Sequence, residues 1–552
     1  MTTKTSTMPA PTGSRTSGAV QTRSPAAAWW RTYTHSLRLL RGGAIAWILA
    51  LTFISTGVVV TFEDRIGTEA ERAALAAMEG IPAFEALAGR YVQIATPEGF
   101  VLSRWGMFGI LVAVWGMLAG VRLLRGAEEE GRVEPLRAGI LTPRGMLSAT
   151  LAALFSVYLV FAVAIGVTHS AVGMDPLTAW ALGGAVALLA ATFAAAGALV
   201  SQLFASRGRA LGVVGAFLGV TLAVRLLAAA TATPDWVWWA TPFGWMGFLH
   251  DVDQARTAVF ASFTALLVVL VGLALALGRR ELHSGLVGGE EATVKRARPL
   301  RSPASLALRL TSGPAVMWGA IIGILALALG LLAHDFVAAM DEMATMVVVV
   351  AEQFGVVIDT IEGIVAMAFF FGAPLLAAFA AGQTAAIREE EASWRIEHLL
   401  VRPVGRTRWL ANRVLVSVAA LVAVALVGGV AAWAGAAIGG APISAGAALL
   451  AGLNIVPVGL LALGVGIAAF GLAPRLTAPV TYGLVVAAFL LDFVGPFLDL
   501  PNWALELSPF RHVAAVPAVD MNVGAALVMI AVGAVCLVIG AVAFRRRDLQ
   551  EA

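Results

Sequence analysis

The chain has 552 residues, of which 59% are hydrophobic and only 13% are charged. Soluble domains carry about 25% charged residues, so this composition excludes an ordinary soluble protein. The net charge of +3 selects no class of partner. A single cysteine, Cys536, excludes an intrachain disulfide and a cysteine-based metal site, and the sequence predicts no metal site at all.

Apolar runs of about 20 residues recur along the whole chain, which is the length at which a helix crosses the hydrocarbon core of a bilayer. Outer-membrane strands would give weak alternating segments of about ten residues instead. The sequence therefore predicts an all-α polytopic membrane protein with twelve transmembrane helices. The predicted spans are 44–62, 105–121, 146–166, 179–204, 210–230, 257–278, 315–337, 364–387, 414–437, 446–472, 479–498 and 522–543.

The segments outside these spans differ in composition. Residues 1–28 are rich in Ser, Thr, Pro and Ala, and they predict a disordered cytoplasmic tail without the apolar core of a signal peptide. Residues 29–43 mix aromatic and leucine side chains with arginines, as does the stretch before span seven, which favours interfacial helices at the headgroups. A simple positively charged anchor is an equally good interpretation. Segments 66–90 and 338–362 are predicted to be external.

The positions of the basic residues predict the orientation. Of the 37 lysines and arginines, 30 fall on one side of the predicted spans, and that side is cytoplasmic by the positive-inside rule. Both termini are then cytoplasmic, in a bacterial plasma membrane. The other seven lie in predicted outer loops or in a span: Arg65, Arg72, Arg90, Arg104, Arg225, Arg256 and Arg511.

The chain contains an internal repeat with one slowly drifting offset. The offset is 271 residues before the first span of each half, 263 after the second span and 267 in the last outer loop. It predicts a first six-span half at 44–282, a cytoplasmic linker at 283–307 and a second half at 308–549, related by an axis along the membrane normal. The matched residues include Arg38, Gly42 and Trp47 with Arg309, Gly313 and Trp318, and Arg125, Glu128 and Glu134 with Arg388, Glu391 and Glu397.

Two matched loops follow the second span of each half, at residues 125–147 and 388–410. Each begins with acidic residues, continues with apolar ones and ends with basic ones, an order that suits the dipole of a surface helix. A solvated charged loop is one interpretation. A docking surface for a soluble partner is the other, and the duplication favours it.

These loops resemble the coupling loop of bacterial ABC exporter permeases of the polyketide-antibiotic exporter type. The resemblance rests on the pattern E-E-x-G-R-x-E-x-L at 128–136, on P-V-x-R at 403–406, and on the paired six-span halves. The first copy lacks the P-V-x-R turn, and the second has Trp394 where glycine is usual. The resemblance implies that the following residues lie on or near the element that meets an ATPase: Glu128, Glu129, Glu130, Gly131, Glu134, Glu391, Glu397, Pro403 and Arg406.

The chain has no phosphate-binding loop of its own, because neither Lys4 nor Lys295 follows a glycine as the G-x-x-x-x-G-K-[ST] motif requires. No cofactor is expected in this chain, and it is not expected to be an enzyme. The resemblance implies that ATP and Mg are bound by a partner, with two copies of an ABC ATP-binding subunit docking on the two loops. The predicted cargo is a hydrophobic or amphiphilic compound, such as an antibiotic or drug, that leaves the cell.

Two ionisable residues lie within spans at equivalent positions, Arg225 and Asp492. We expect them to form a salt bridge that closes the outer end of the pathway; separate snorkelling to the surface is the alternative. Phe369, Phe370 and Phe371 are candidates for an apolar substrate cavity, although packing or lipid contact is the favoured interpretation. Most of the tryptophans of the outer loops are interpreted as interfacial aromatics.

Three other functions remain open. A proton-coupled secondary multidrug transporter needs acids or histidines within its spans, and here Asp492 is nearly alone, with His334 and Asp335 at a span end. An ABC-type lipid exporter would use the same architecture. A membrane enzyme would need a cluster of acids or metal ligands at one membrane face, and the seven scattered histidines offer none.

Overall fold

We analysed a computed structural model of the chain. It describes residues 24–62, 66–77, 79–80, 85, 89–90, 93–132, 141–230, 236–250, 254–278, 286, 302–341, 360–392, 405–495 and 500–547. The described residues form helices and no strand. Residues 1–23 of the predicted tail and most of the predicted linker lie outside these ranges, as do residues 342–359 of the predicted external segment 338–362. Residues 25–28, predicted to be disordered, form the start of the first helix.

Local sequence fixes where several helices begin. Four long helices of the first half have proline in the first turn, where its missing N–H costs no helical hydrogen bond. Each is preceded by a short polar side chain that accepts a backbone N–H from the first turn, which satisfies one of the free donors there. These capping residues are Ser24, Thr96, Thr142 and Asp175.

The first half contains six long helices and three short ones. Of the predicted external segment 66–90, the structure describes one helix of eight residues, closed by a capping box between Thr68 and Glu71. The helices are α1 (Pro25–Val60), α2 (Glu69–Ala76), α3 (Pro97–Val121), α4 (Pro143–Ala171), α5 (Pro176–Leu203), α6 (Arg207–Ala230), α7 (Trp236–Trp239), α8 (Pro242–Met246) and α9 (Gln254–Leu277).

The long helices of the second half follow the same order, except that the span matching α5 is divided into two helices at Ile455. Its helices are α10 (Pro303–Asp341), α11 (Ile361–Ala392), α12 (Arg406–Ile438), α13 (Ala445–Asn454), α14 (Val456–Leu472), α15 (Thr477–Val494), α16 (Asn502–Leu505) and α17 (Val523–Arg546).

Twelve helices in the described ranges are long and apolar enough to cross a membrane, which confirms the predicted fold class. The structure differs from the prediction in front of the first and seventh spans. There the expected interfacial segment and the following span form one unbroken helix of 36 residues in α1 and of 39 in α10. At about 1.5 Å per residue, α1 is about 54 Å long, well beyond the hydrocarbon core. α10 also begins at Pro303, inside the predicted linker 283–307.

The long helices alternate in direction, so the start of α1 and the end of α17 lie at the same end of the bundle. We call this the arginine-rich end, because the helix ends and loops described there carry most of the described arginines. The opposite end carries the short helices α7, α8 and α16. Leu332 and Phe336 of α10 are buried in the core of the first half, so the two halves share a packed interface.

The two halves repeat a specific contact at the opposite end. The Thr241 hydroxyl donates to the Thr221 carbonyl of α6 at 3.0 Å, and the Ser508 hydroxyl donates to the Ala488 carbonyl of α15 at 3.0 Å. Both hydroxyl oxygens also accept a backbone N–H two residues further on. Each outer loop is therefore hydrogen-bonded to the fifth span of its own half at equivalent positions.

Candidate functional site

The first matched loop begins on a distorted helix. α3 passes into a π-helical turn at Arg122–Gly126 and then a short α-turn at Ala127–Glu129. Such π-turns are rare and occur often at functional sites. The chain then reverses at Gly131, whose φ of 69° is readily adopted only by residues such as glycine.

A buried ion pair lies at the base of this first loop. Arg125 is 2.5 Å from Glu128, and their side chains are only 1% and 8% exposed. Arg125 also donates to the carbonyl of Phe204, just past the end of α5. A buried charge pair is tolerated when further hydrogen bonds satisfy both groups. The arginine therefore ties the loop to the junction between α5 and α6.

The next acidic residues of the loop have different surroundings. The Glu129 carboxylate accepts the backbone N–H of Arg207 at 2.7 Å, at the start of α6. A carboxylate is favoured there, because the helix dipole is positive at its N-terminus. Glu130 pairs with Arg132, and both of these side chains are well exposed. Glu129 and Glu130 are therefore both exposed, and of these three glutamates only Glu128 is buried.

The second matched loop has a related buried pair with a different arginine. Glu391, near the end of α11, accepts from both terminal nitrogens of Arg547 at 2.6 and 2.8 Å, and its side chain is fully buried. Arg388, the residue that matches Arg125, is 3.9 Å from Glu391. The Arg547 guanidinium also lies over the rings of Phe470 and Phe544. This two-point, aromatic-backed pair is geometrically specific.

The arginines of the two clusters donate to equivalent backbone carbonyls. Arg547 donates to the Phe470 carbonyl at 3.2 Å, as Arg125 does to the Phe204 carbonyl. Both carbonyls lie at the end of the fourth span of their half, where helical carbonyls lack a partner within the helix. In each half, then, one buried arginine joins a glutamate of the loop to the end of the fourth span.

The structure places the other predicted loop residues as follows. Arg406 donates to the carbonyl of Arg547 at 3.0 Å, so it contacts the second cluster. Glu134, Glu397 and Pro403 lie outside the described residues. The role of all these residues at a partner surface stays a prediction.

The predicted gate residues lie on α6 and α15, as expected. Arg225 is buried and donates to the Gly106 carbonyl of α3 at 2.7 Å. Asp492 is also buried, and the positive charge that acts on its carboxylate includes that of Arg511, in the outer loop of the same half. Their pairing across the two halves stays a prediction.

The three phenylalanines of α11 have different neighbours. Phe369 is buried in the core of the second half, while Phe370 packs against the core of the first half. Phe370 and Phe371 contact each other edge to face at 5.2 Å. Phe369 therefore has a packing position, and only its two neighbours are placed to reach the interface between halves.

Sequence reasoning missed two features of the site. The interaction of Arg547 with Glu391 spans 156 residues, and the repeat indicated only the neighbouring pair Arg388–Glu391. The interpretation of most outer-loop tryptophans as interfacial does not extend to Trp238 and Trp245, which are buried in the first core. Trp236 and Trp503 are 69% exposed and fit it. Among the described residues, no group of three acids, histidines or cysteines could hold a metal.

The geometry defines a class before any relative is considered: a duplicated polytopic helical membrane protein with matched Arg–Glu clusters at one end. Comparison with known proteins is more specific. The family described as "Multidrug efflux system permease Rv1217c, C-terminal domain" matches residues 32–279 and 300–545. The chain belongs to this family of multidrug efflux permeases. It is also 29% identical over 515 residues to the multidrug efflux system permease protein Rv1217c of Mycobacterium tuberculosis (strain ATCC 25618 / H37Rv), covering 91% of this chain and 92% of that protein.

Proposed function

We propose that this chain is the membrane-spanning permease subunit of an ATP-driven ABC exporter of hydrophobic or amphiphilic compounds such as antibiotics and drugs. The observation that carries the proposal is the duplicated Arg–Glu cluster at the base of two matched loops. Each loop lies at the same end of the bundle, in a protein of the multidrug efflux permease family.

The clusters provide a mechanical route from the loops to the spans. Glu128 is joined through Arg125 to the end of α5, and Glu391 is joined through Arg547 to the end of α14 and to α17. These contacts are buried and directional, so a displacement of the loop also displaces the helices to which it is bonded. Two ATPase subunits that dock on the two loops would move both halves.

The partner ATPase would bind ATP and Mg and would supply the energy for transport. Docking takes place in the cytoplasm, because the arginine-rich end faces the inside of a bacterial plasma membrane under the positive-inside rule. Both termini are then cytoplasmic, and the outer loops that contain Thr241 and Ser508 face the exterior. The cargo would pass between the halves, where Phe370 and the end of α10 form an apolar contact.

Capture of the ATPase tests this proposal. The purified chain is mixed with a purified ABC ATP-binding subunit from the same organism, and the double variant Glu134→Ala/Glu397→Ala is compared with the wild type. We expect the wild type to retain the ATPase and the double variant to lose at least about tenfold in affinity, since two charged contacts are removed.

The matched control is Glu71→Ala, which removes an exposed glutamate of α2 at the opposite end. It should bind the ATPase as the wild type does. Equal binding by the loop double variant would contradict the docking assignment.

A further inference from the structure

A second buried polar network lies at the arginine-rich end of the second half. Four side chains from three helices form it: Thr311 of α10, Gln383 and Glu390 of α11, and Arg413 of α12. Arg413 is 2% exposed, Thr311 1% and Gln383 2%. Membership of the efflux permease family does not by itself explain this network.

Arg413 is the centre of the network. Its guanidinium is 3.0 Å from the Glu390 carboxylate and donates to the Thr311 hydroxyl at 3.1 Å and to the Ala307 carbonyl at 3.3 Å. The Thr311 hydroxyl in turn donates to the Gln383 side-chain oxygen at 3.3 Å. The segment of α10 before its span is thus joined directly to the end of α11, from which the second matched loop emerges.

The first half has no such set of side chains. The repeat offsets of 271 and 263 place small or apolar residues, or a threonine, at the four positions: Leu40 for Thr311, Gly120 for Gln383, Ala127 for Glu390 and Thr150 for Arg413. The Thr150 hydroxyl donates within its own helix, to the Met146 carbonyl at 3.0 Å.

The equivalent segment of α1 is held in another way. Trp29 donates to the Ser148 hydroxyl at 3.0 Å, and Tyr33 shares a hydrogen bond with Ser156 at 3.0 Å. Both partners belong to α4, not to the helical turn that carries the first loop. In the first half, the contacts of Leu40 and Ala127 with their surroundings are apolar and non-directional.

We propose that the two halves transmit the motion of the ATPase unequally, and that Arg413 is the positioning residue that makes the segment of α10 before its span follow the second loop. The inference rests on the proposed function. A buried ion pair cannot separate without leaving unpaired charges, so α11 and α12 move together. The hydrogen bonds from Arg413 to Thr311 and to the Ala307 carbonyl make α10 follow them. In the first half, the apolar contacts at Leu40 and Ala127 allow α1 to move relative to its loop.

The test follows each segment with a spin label. Cys536 is the only cysteine, so Cys536→Ser gives a background without any. Ser312→Cys reports on α10, and Arg41→Cys reports on the matching position of α1; both residues are exposed. The full chain is reconstituted with its P-loop ATPase, and the label spectrum is recorded before and after addition of ATP and Mg.

The decisive variant is Glu390→Ala/Arg413→Thr. It gives these two positions the residues that the first half has there, and it removes both charges of the ion pair together. We expect it to abolish the ATP-dependent change at position 312 and to leave the smaller change at position 41 intact. Efflux of ethidium per ATP hydrolysed should fall by about tenfold, the scale of a typical coupling between sites. The matched control Thr150→Ala should change neither label.

The outcomes separate the two proposals. An ATP response at position 312 that survives the double substitution overturns the role of Arg413. Equal wild-type responses at the two positions overturn the asymmetry. Labels that do not respond to ATP in the wild type, together with efflux that needs no ATPase, overturn the proposed function itself. An unchanged melting temperature and unchanged ATPase binding in the double variant exclude general misfolding.

Discussion

At the scale of single residues, the two buried glutamates of the matched loops carry the most consequential contacts. Glu391 accepts two hydrogen bonds from Arg547, whose guanidinium is further held against Phe470 and Phe544. Removing the carboxylate leaves the arginine charge buried without this partner. Breaking such a pair costs about 3–5 kcal/mol, whereas loss of an exposed pair costs about 0–1 kcal/mol.

We therefore expect Glu391→Ala to lower the melting temperature of the detergent-solubilised protein by several degrees. The control is Glu130→Ala, which removes a carboxylate of the first loop that is 47% exposed. It should leave the melting temperature nearly unchanged. Similar losses in the two variants would show that the Glu391 pair contributes no special stability.

The sequence predicts part of this site and not the rest. The pairs Arg125–Glu128 and Arg388–Glu391 share the i, i+3 spacing that brings side chains together on one helix, so the repeat was enough to indicate them. Arg547 could be aligned with the end of the first half but not assigned to Glu391, because that contact depends on how α17 packs beside α14. Arg413 carried no signal, since its counterpart Thr150 is not charged.

At the scale of elements, the spans were predictable because each is a continuous apolar run whose length is set by the bilayer. The unbroken helices α1 and α10 were not, although the residues that could have interrupted them were visible. Gly42 and Gly43 in α1, and Gly313 and Pro314 in α10, lie between the amphipathic segment and the span. Glycine only weakens a helix, and Pro314 is accommodated inside α10.

Packing between helices in the second half depends on small residues, as is common in membranes. α14 and α17 approach so closely that a Cβ on Gly540 would lie 2.1 Å from the Ile467 carbonyl oxygen. We expect Gly540→Ala to force the two helices apart, lower the melting temperature and displace Arg547 from Glu391.

The control is Gly272→Ala in α9, where an added Cβ meets nothing within 4 Å. This change should be neutral or slightly stabilising, since alanine favours a helix over glycine by about 1 kcal/mol. Thermal unfolding measures both variants. Equal tolerance of alanine at the two positions would contradict the close approach of α14 and α17.

At the scale of the whole molecule, the duplicated architecture is shared by both halves while the buried chemistry is not. The hydrogen bonds of Thr241 and Ser508 to the fifth spans are equivalent. The carbonyls of Phe204 and Phe470, which accept from the loop arginines, are also equivalent. The arginines that bind the loop glutamates differ, and the network around Arg413 belongs to the second half. Repetition thus fixes the frame of the molecule, and substitution at matched positions lets the halves differ in transmission.

The central claim is that this frame moves cargo only when a separate ATPase acts on its two loops. The most direct measurement is transport of ethidium by proteoliposomes that contain the purified chain, with and without the ATPase, under either ATP or a proton gradient. We predict transport only when ATPase and ATP are both present, and none from the gradient alone. Transport by the chain by itself, driven by the proton gradient, would contradict the account.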